Sequence, residues 1–252
     1  MRTEEPRAIH LSDYKAPEFR ITTVHLDFAL EPEATRVKAK LAIERRSGTG
    51  ALVLSGECQK LLSVALNGRA LESSDYLLDD KNLTLPDPPD RLTLEIESEI
   101  NPAANTALEG LFLSSGMFCT QCEPEGFRRI TYFLDRPDNL SVFTVRIEAD
   151  KEQYPVLLSN GNRIQSGDLV GGRHFAVWHD PFPKPSYLFA LVAGDLGSIH
   201  DSFTTMRGRK VALAIYVEHG NEPRAHYAMD ALKRAMKWDE EAYGRNMTST
   251  SS

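Results

Sequence analysis

The sequence has few cysteines and no long hydrophobic run. Three cysteines occur in 252 residues, and so small and odd a number does not form a disulfide framework. No stretch reaches the roughly 20 apolar residues that a membrane-spanning helix needs. Residues 1–6 lack the apolar segment of a signal peptide. We therefore expect a soluble, cytoplasmic protein.

Positive charge is scarce. The sequence has 29 Lys and Arg residues against 36 Asp and Glu residues, a formal net charge of −7. Because nucleic acids and anionic membranes repel an acidic surface, we expect neither as a partner. An acidic field favours cationic ligands, such as the amino terminus of a peptide.

Short runs of alternating apolar and polar residues predict a β-rich fold. The clearest run places charged residues between Val37, Ala39, Leu41 and Ile43, which is typical of a half-buried antiparallel strand. A slip in the period near residues 22–23 predicts a bulge, and Asn67-Gly68 predicts a two-residue hairpin. Similar runs recur about every ten residues, up to a last one at residues 187–192. We predict a mainly β fold, a large antiparallel sandwich or saddle.

The pattern changes after Gly194. An apolar strand at residues 211–217 precedes the only strong helix pattern, with Asn221 as its N-cap and Gly244 as its stop signal. The predicted apolar stripe of this helix consists of Ala228, Leu232, Ala235, Met236 and Trp238.

Residues 119–129 form the densest polar stretch, Cys-Thr-Gln-Cys-Glu-Pro-Glu-Gly-Phe-Arg-Arg. It fits neither a helix nor a good strand, so we predict a site carried on a loop. Its C-x-x-C pair could be half a zinc site, a redox pair or two partly buried thiols. No second C-x-x-C or spaced histidine pair supports the first two alternatives. We expect the third cysteine, Cys58, in the core.

In their order along the chain, seven motifs resemble the N-terminal domain of bacterial aminopeptidase N, a zinc aminopeptidase family of the gluzincin class. The resemblance runs from about Tyr14 to Asn246. The motifs that carry it lie at residues 106–111, 119–123, 125–128, 132–137, 157–162, 180–185 and 187–194.

The resemblance implies a domain division. Residues 1–194 would form the β-rich N-terminal domain. Residues 195–246 would be the incomplete start of a thermolysin-like catalytic domain, with its first strand and helix. Residues 247–252 do not continue the resemblance, and we expect a disordered tail or a remnant of cloning.

The zinc-binding motif of this family is missing from the sequence. The family binds zinc with two histidines of an H-E-x-x-H helix and a downstream glutamate, and the motif glutamate is the general base. None of the seven histidines is followed by glutamate. We therefore expect no metal-binding or catalytic residue in this chain and no activity of the chain alone. Zinc would be the cofactor of the full-length enzyme only.

The resemblance assigns two substrate-binding residues. Glu123 would hold the free ammonium group of a peptide, together with a glutamate of an exopeptidase loop that this sequence lacks. Gln121 would line the first side-chain pocket. The alternative for both residues is a hydrogen bond within the loop. We also expect two structural ion pairs, Glu109 with Arg128 and Asp135 with Arg136.

These expectations define the predicted function. The chain would be the substrate-recognition domain of a zinc aminopeptidase that releases amino acids from peptide N-termini. Its partners would be peptide N-termini and the missing catalytic domain. The alternatives are a non-catalytic peptide-binding module and a structural β domain that docks on a separate catalytic chain.

Overall fold

The computed structural model describes residues 10–244, and most of them belong to β-strands. In chain order the elements are β1 (Phe19–Ala29), β2 (Thr35–Arg45), β3 (Leu52–Ser55), β4 (Lys60–Leu66), β5 (Arg69–Ala70), β6 (Leu77–Leu78), β7 (Asn82–Leu85), β8 (Arg91–Ile100), β9 (Gly110–Ser114), β10 (Met117–Gln121), β11 (Leu140–Asp150), β12 (Val156–Ser159), β13 (Asn162–Asp168), β14 (Arg173–Pro185), β15 (Leu191–Gly194), β16 (Gly197–Thr204), β17 (Lys210–Val217) and α1 (Ala225–Tyr243). Short 3-10 helices lie at Leu11–Asp13, Phe127–Arg129, Val170–Gly172, Ser186–Leu188 and Glu222–Arg224.

An eight-stranded sheet forms the framework, in the order β13-β14-β11-β1-β2-β8-β4-β5. Its pairs are antiparallel except β1 with β11, which run parallel. The register of β1 against β2 shifts between Ile21 and Thr23, which confirms the predicted bulge. The buried face of β2 alternates with a solvent-facing face, as predicted for this strand.

Two smaller sheets share the core of the large one. The first has the order β12-β15-β10-β9, and the second β3-β7-β6. Buried residues from all three sheets form one hydrophobic cluster, which includes Phe28, Leu54, Leu83, Phe118 and Leu191. This arrangement confirms the predicted mainly β, antiparallel fold class.

One local prediction was wrong in part. The strand expected at residues 187–192 begins only at Leu191, as β15, because the chain before it forms the 3-10 turn Ser186–Leu188, in which the Phe189 N–H donates to the Ser186 carbonyl (3.0 Å). The turn at residues 160–161 carries the chain from one sheet to another, since β12 pairs with β15 and β13 pairs with β14.

The last elements form a separate small cluster. Strands β16 and β17 pair as a hairpin. Helix α1 packs on this hairpin, with Met229 and Met236 of the helix in one cluster with Leu213 of β17. Of the predicted apolar stripe only Met236 is buried, whereas Leu232 and Trp238 are exposed. The Asn221 side chain makes no capping bond, but Gly244 has the predicted left-handed conformation.

None of the helices in residues 10–244 is long and apolar enough to cross a membrane. The predicted tail at residues 247–252 lies outside the described residues.

Candidate functional site

The polar stretch begins as a strand. Residues 119–121 complete β10, which pairs with β9 from Gln121 opposite Gly110 to Met117 opposite Ser114. Strand β15 pairs with β10 from its other side. The prediction of a loop over the whole stretch was therefore wrong for these residues. Pairing with β9 and β15 makes these residues a strand, although their residue types do not favour one.

A tight turn follows β10. The Gly126 N–H donates to the Cys122 carbonyl (2.8 Å), and the Glu123–Pro124 peptide bond is cis. A Cβ atom on Gly126 would lie 2.4 Å from the Gln121 carbonyl oxygen, so this close backbone approach requires glycine. The chain then enters the 3-10 helix Phe127–Arg129.

Phe127 fixes this turn to the core. Its buried ring makes edge contacts with Phe133, Phe143 and Phe189, at centroid distances of 4.7, 5.9 and 5.3 Å. Edge-to-face aromatic pairs favour one mutual orientation. The polar residues on either side of Phe127 are therefore held at the surface on a rigid support.

The turn forms one wall of a cavity of about 300 Å³. Glutamates and arginines dominate its lining, which consists of Glu57, Glu109, Glu123, Pro124, Glu125, Gly126, Arg128 and Arg129. We call this cavity the acidic pocket. Five carboxylates, Asp135 included, contact or surround two guanidinium groups here, so the cluster keeps an excess of negative charge.

The two predicted site residues take different positions. Glu123 is exposed and lines the acidic pocket. Gln121 is exposed beside it, and its side-chain amide donates to the backbone carbonyl of Glu123 (3.1 Å). Gln121 therefore makes the hydrogen bond within the loop that was its alternative role.

Both predicted ion pairs were wrong. Glu109 pairs with Arg129 (3.2 Å) and not with Arg128, because adjacent residues of the 3-10 turn point in different directions. Asp135 pairs with Arg128 (3.0 Å), and its neighbour Arg136 pairs with Asp138 (2.8 Å).

The pair of Arg136 and Asp138 also accounts for a lowered pKa. The Arg136 guanidinium, which donates to Asp138, holds the pKa of that carboxyl below its usual range.

Glu57 belongs to the pocket but was missed by the sequence reasoning. It lies between β3 and β4, about 70 residues before the turn, and its carboxylate is 3.6 Å from the Arg129 guanidinium. Its backbone N–H donates to the Arg128 carbonyl (3.0 Å). No local sequence signal links the two segments, since only the fold brings them together.

The three cysteines have different environments. Cys122 is buried, and burial raises the pKa of its thiol far above the ordinary value; burial also raises the pKa of half-buried Cys119. Because the thiolate is the nucleophile and metal ligand, both shifts oppose redox and metal chemistry. Cys58 is exposed, so its predicted core position was wrong. It lies on the turn before β4 with a positive φ of 55°, and its sulfur is 3.6 Å from Arg129 Nη1.

Metal ligands are not assembled in the described part of the chain. Within residues 10–244, no three His, Cys, Asp or Glu side chains lie where they could hold a metal ion. The residues present therefore do not fit the zinc centre that the resemblance implies for the full-length enzyme.

The fold and this turn identify the class of protein. Residues 32–188 match the Peptidase M1 N-terminal domain, and the chain belongs to that family. The match confirms the resemblance drawn from the motifs.

Among curated relatives, the chain is similar to aminopeptidase N of Caulobacter vibrioides, with 57% identity over 97% of the chain. It is 51% identical to aminopeptidase N of Escherichia coli over 96% of the chain. In both cases the chain spans only 28% of the relative's length.

Solved structures agree with this relationship. The crystal structure of Legionella pneumophila aminopeptidase A in complex with aspartic acid superposes with a TM-score of 0.90 at 36% identity, over 95% of this chain and 29% of that one. An M1 zinc metallopeptidase of Deinococcus radiodurans, bound to a Tyr-Ser-Ala substrate, superposes with a TM-score of 0.76 over 90% of this chain and 54% of that one. At 15% identity it shows a shared fold alone.

Proposed function

We propose that this chain is the N-terminal, substrate-recognition domain of a zinc aminopeptidase, in which Glu123 binds the free ammonium group of a peptide. The proposal rests on the exposure of Glu123 and on its lack of an ion pair in the described part of the chain. Among residues 10–244 it is the one glutamate of the acidic pocket without an ion pair, and it is exposed at the pocket.

A free carboxylate in this setting suits an ammonium group. A hydrogen bond between two charged groups is stronger than one between neutral groups, and the excess of negative charge around the pocket favours a cation. A peptide with an acetylated amino terminus lacks the cation and would lose this contact. Selection for the free terminus is what separates an aminopeptidase from an endopeptidase.

Gln121 has the second role in the proposal, as part of the pocket for the first side chain of the peptide. Its position next to Glu123 supports this role. The hydrogen bond from its amide to the Glu123 carbonyl would also hold the Glu123 backbone in place.

The domain division is part of the proposal, with residues 1–194 as the recognition domain and residues 195–246 as the start of a catalytic domain. The family match at residues 32–188 and the separate hydrophobic cluster after Gly197 support this division. Zinc and the general base would come from sequence beyond these 252 residues. The cytoplasmic location stays a prediction.

A chimera tests the role of Glu123. The segment of the Caulobacter aminopeptidase N that matches this chain is replaced by the chain, and hydrolysis of an alanyl chromogenic amide is measured. Because a hydrogen bond to a charged group contributes about 1.5–3 kcal/mol, Glu123→Gln is expected to lower kcat/KM about tenfold to a hundredfold.

Two controls accompany this experiment. Glu33→Gln changes an exposed glutamate outside the pocket and should leave kcat/KM unchanged. The chain alone, with added zinc, should give no turnover. A Glu123→Gln chimera as active as the parent would contradict the role of Glu123. Amine-dependent peptide binding by the chain alone, with an inactive parent chimera, would favour the non-catalytic peptide-binding module.

A further inference from the structure

The acidic pocket contains two arginines that contact most of its carboxylates. Arg129 lies 3.2 Å from the Glu109 carboxylate and 3.6 Å from the Glu57 carboxylate. Its side chain is 20% exposed, so these contacts form at the edge of the protein interior rather than in open solvent. Arg129 thus forms ion pairs with two of the four glutamates that line the pocket.

Arg128 forms an ion pair with a third glutamate of the pocket. Its guanidinium lies 3.2 Å from Glu125 and 4.0 Å from Glu57, while its Nε donates to the buried Asp135 carboxylate (3.0 Å). Asp135 also accepts from the Arg128 backbone N–H (3.1 Å). These bonds from backbone and side chain fix where the guanidinium lies.

Glu123 is the remaining pocket glutamate. Its carboxylate has no ion pair in the part of the chain that the structure describes, although it lines the same cavity as both arginines. The cavity therefore presents one carboxylate that is free to accept a cation and three that are already in contact with guanidinium groups.

We propose that Arg128 and Arg129 determine the specificity of this pocket, because they occupy three of its four glutamates and leave Glu123 for a ligand with a single ammonium group. The inference rests on the proposed amine-binding role of Glu123 and extends it to the charge of the ligand. A ligand with two ammonium groups finds only one free carboxylate and gains no second contact.

The test compares amines that differ by one charge. Binding of butylamine and of 1,4-diaminobutane to the chain is followed by NMR chemical shifts at about 0.15 M salt, where screening limits the nonspecific attraction of the second charge to the acidic chain. For the unmodified chain the diamine should bind only about twofold more tightly, the statistical advantage of two equivalent amines.

Arg129→Gln releases Glu109, whereas Glu57 keeps its 4.0 Å contact with Arg128. Because an exposed ion pair contributes up to about 1 kcal/mol, the preference for the diamine should rise about fivefold. Arg129→Lys keeps the positive charge and should retain the original preference. Arg20→Gln is the matched control, since it removes a surface arginine that pairs with Glu44 (2.7 Å) on the large sheet.

A second variant remains informative if Arg129→Gln does not fold. Glu123 is exposed, and Glu123→Gln should abolish the binding of both amines in the otherwise unmodified chain. Diamine binding that survives Glu123→Gln would show that the other glutamates are available and would overturn the inference. An unchanged amine preference in folded Arg129→Gln would overturn it as well.

These outcomes separate the two proposals. Failure of the unmodified chain to bind either amine would overturn the inference but not the role of Glu123 in the complete site, which the Glu123→Gln chimera tests. A Glu123→Gln chimera as active as the parent, beside a gain of diamine preference in Arg129→Gln, would contradict the role of Glu123 and support the role of the arginines.

Discussion

Asp135 is the buried charge that holds the turn at residues 122–129 in place. Its side chain is 1% exposed. One carboxylate oxygen accepts from the Ser186 hydroxyl (2.6 Å), and the other accepts from the Arg128 backbone and guanidinium N–H groups. A buried carboxylate is tolerated when a cation and further hydrogen bonds satisfy it. Asp135 thereby links the 3-10 turn at residues 127–129 to the end of β14.

Asp135→Asn should destabilise the chain strongly. The substitution removes the buried carboxylate that Arg128 and Ser186 hydrogen-bond, while Arg128 keeps its contacts with Glu125 and Glu57. Loss of these buried charge-assisted hydrogen bonds is expected to cost about 2–3 kcal/mol. Urea unfolding followed by tryptophan fluorescence measures this loss.

Asp138→Asn is the matched control for this prediction. Asp138 pairs with Arg136, whose side chain is 42% exposed, so its loss should cost about 1 kcal/mol or less. Equal losses for the two variants would contradict the anchoring role of Asp135.

The individual ion pairs of the site were beyond sequence reasoning. The polar composition predicted a loop at residues 119–129, which the structure has from residue 122 on, but composition could not show which of two adjacent arginines turns towards Glu109. That choice depends on the 3-10 geometry and on Asp135, which is buried among residues that meet only in the folded chain. Cys58 was misplaced for a similar reason, since cysteine is usually buried and no local pattern indicates its exposed turn.

Among the secondary-structure elements, those fixed by local chemistry were predicted well. Strands β4 and β5 pair across Asn67-Gly68, and both turn residues have a positive φ, 52° and 81°. Asn and Gly favour this conformation without any help from distant contacts. The bulge in β1 likewise follows from a slip in the apolar period.

Helix α1 was predicted in place, and its predicted apolar stripe is largely not the face that it buries in this chain. Its buried residues are Ala225, Met229, Met236 and Glu240, which follow helical spacing. The predicted stripe pointed largely elsewhere because composition alone does not show where the partner lies. The partner is a hairpin of only two strands, which covers a narrow face and leaves Leu232 and Trp238 exposed.

Substitutions on the two faces of α1 should therefore differ. Met236→Ala removes a side chain that is 3% exposed and should cost about 2–3 kcal/mol in the stability of the helix against its hairpin. Leu232→Ala, at a side chain that is 37% exposed, should cost about 0.5 kcal/mol or less. Urea unfolding followed by circular dichroism at the helix band measures both. A greater loss from Leu232→Ala would mean that another surface covers this face.

At the scale of the whole molecule, the described residues contain two hydrophobic clusters of unequal size. The large cluster draws on residues from Phe19 to Ala193 and includes the aromatic group beneath the turn at residues 122–129. The small one has three buried members, Leu213, Met229 and Met236. Because stability follows the apolar area that each unit buries, the two parts of the chain need not unfold together.

Native-state hydrogen exchange should resolve these two parts. Amides of β16, β17 and α1 are expected to exchange through an opening of lower free energy than amides of β1, β2 and β11, because a cluster with few buried side chains opens locally. Mass spectrometry at increasing urea concentrations below the main transition would follow both groups, and Met236→Ala should accelerate only the first. Exchange of all five strands and the helix with one common free energy would contradict this view, since it would require the large sheet and the hairpin of β16 and β17 to unfold as a single cooperative unit.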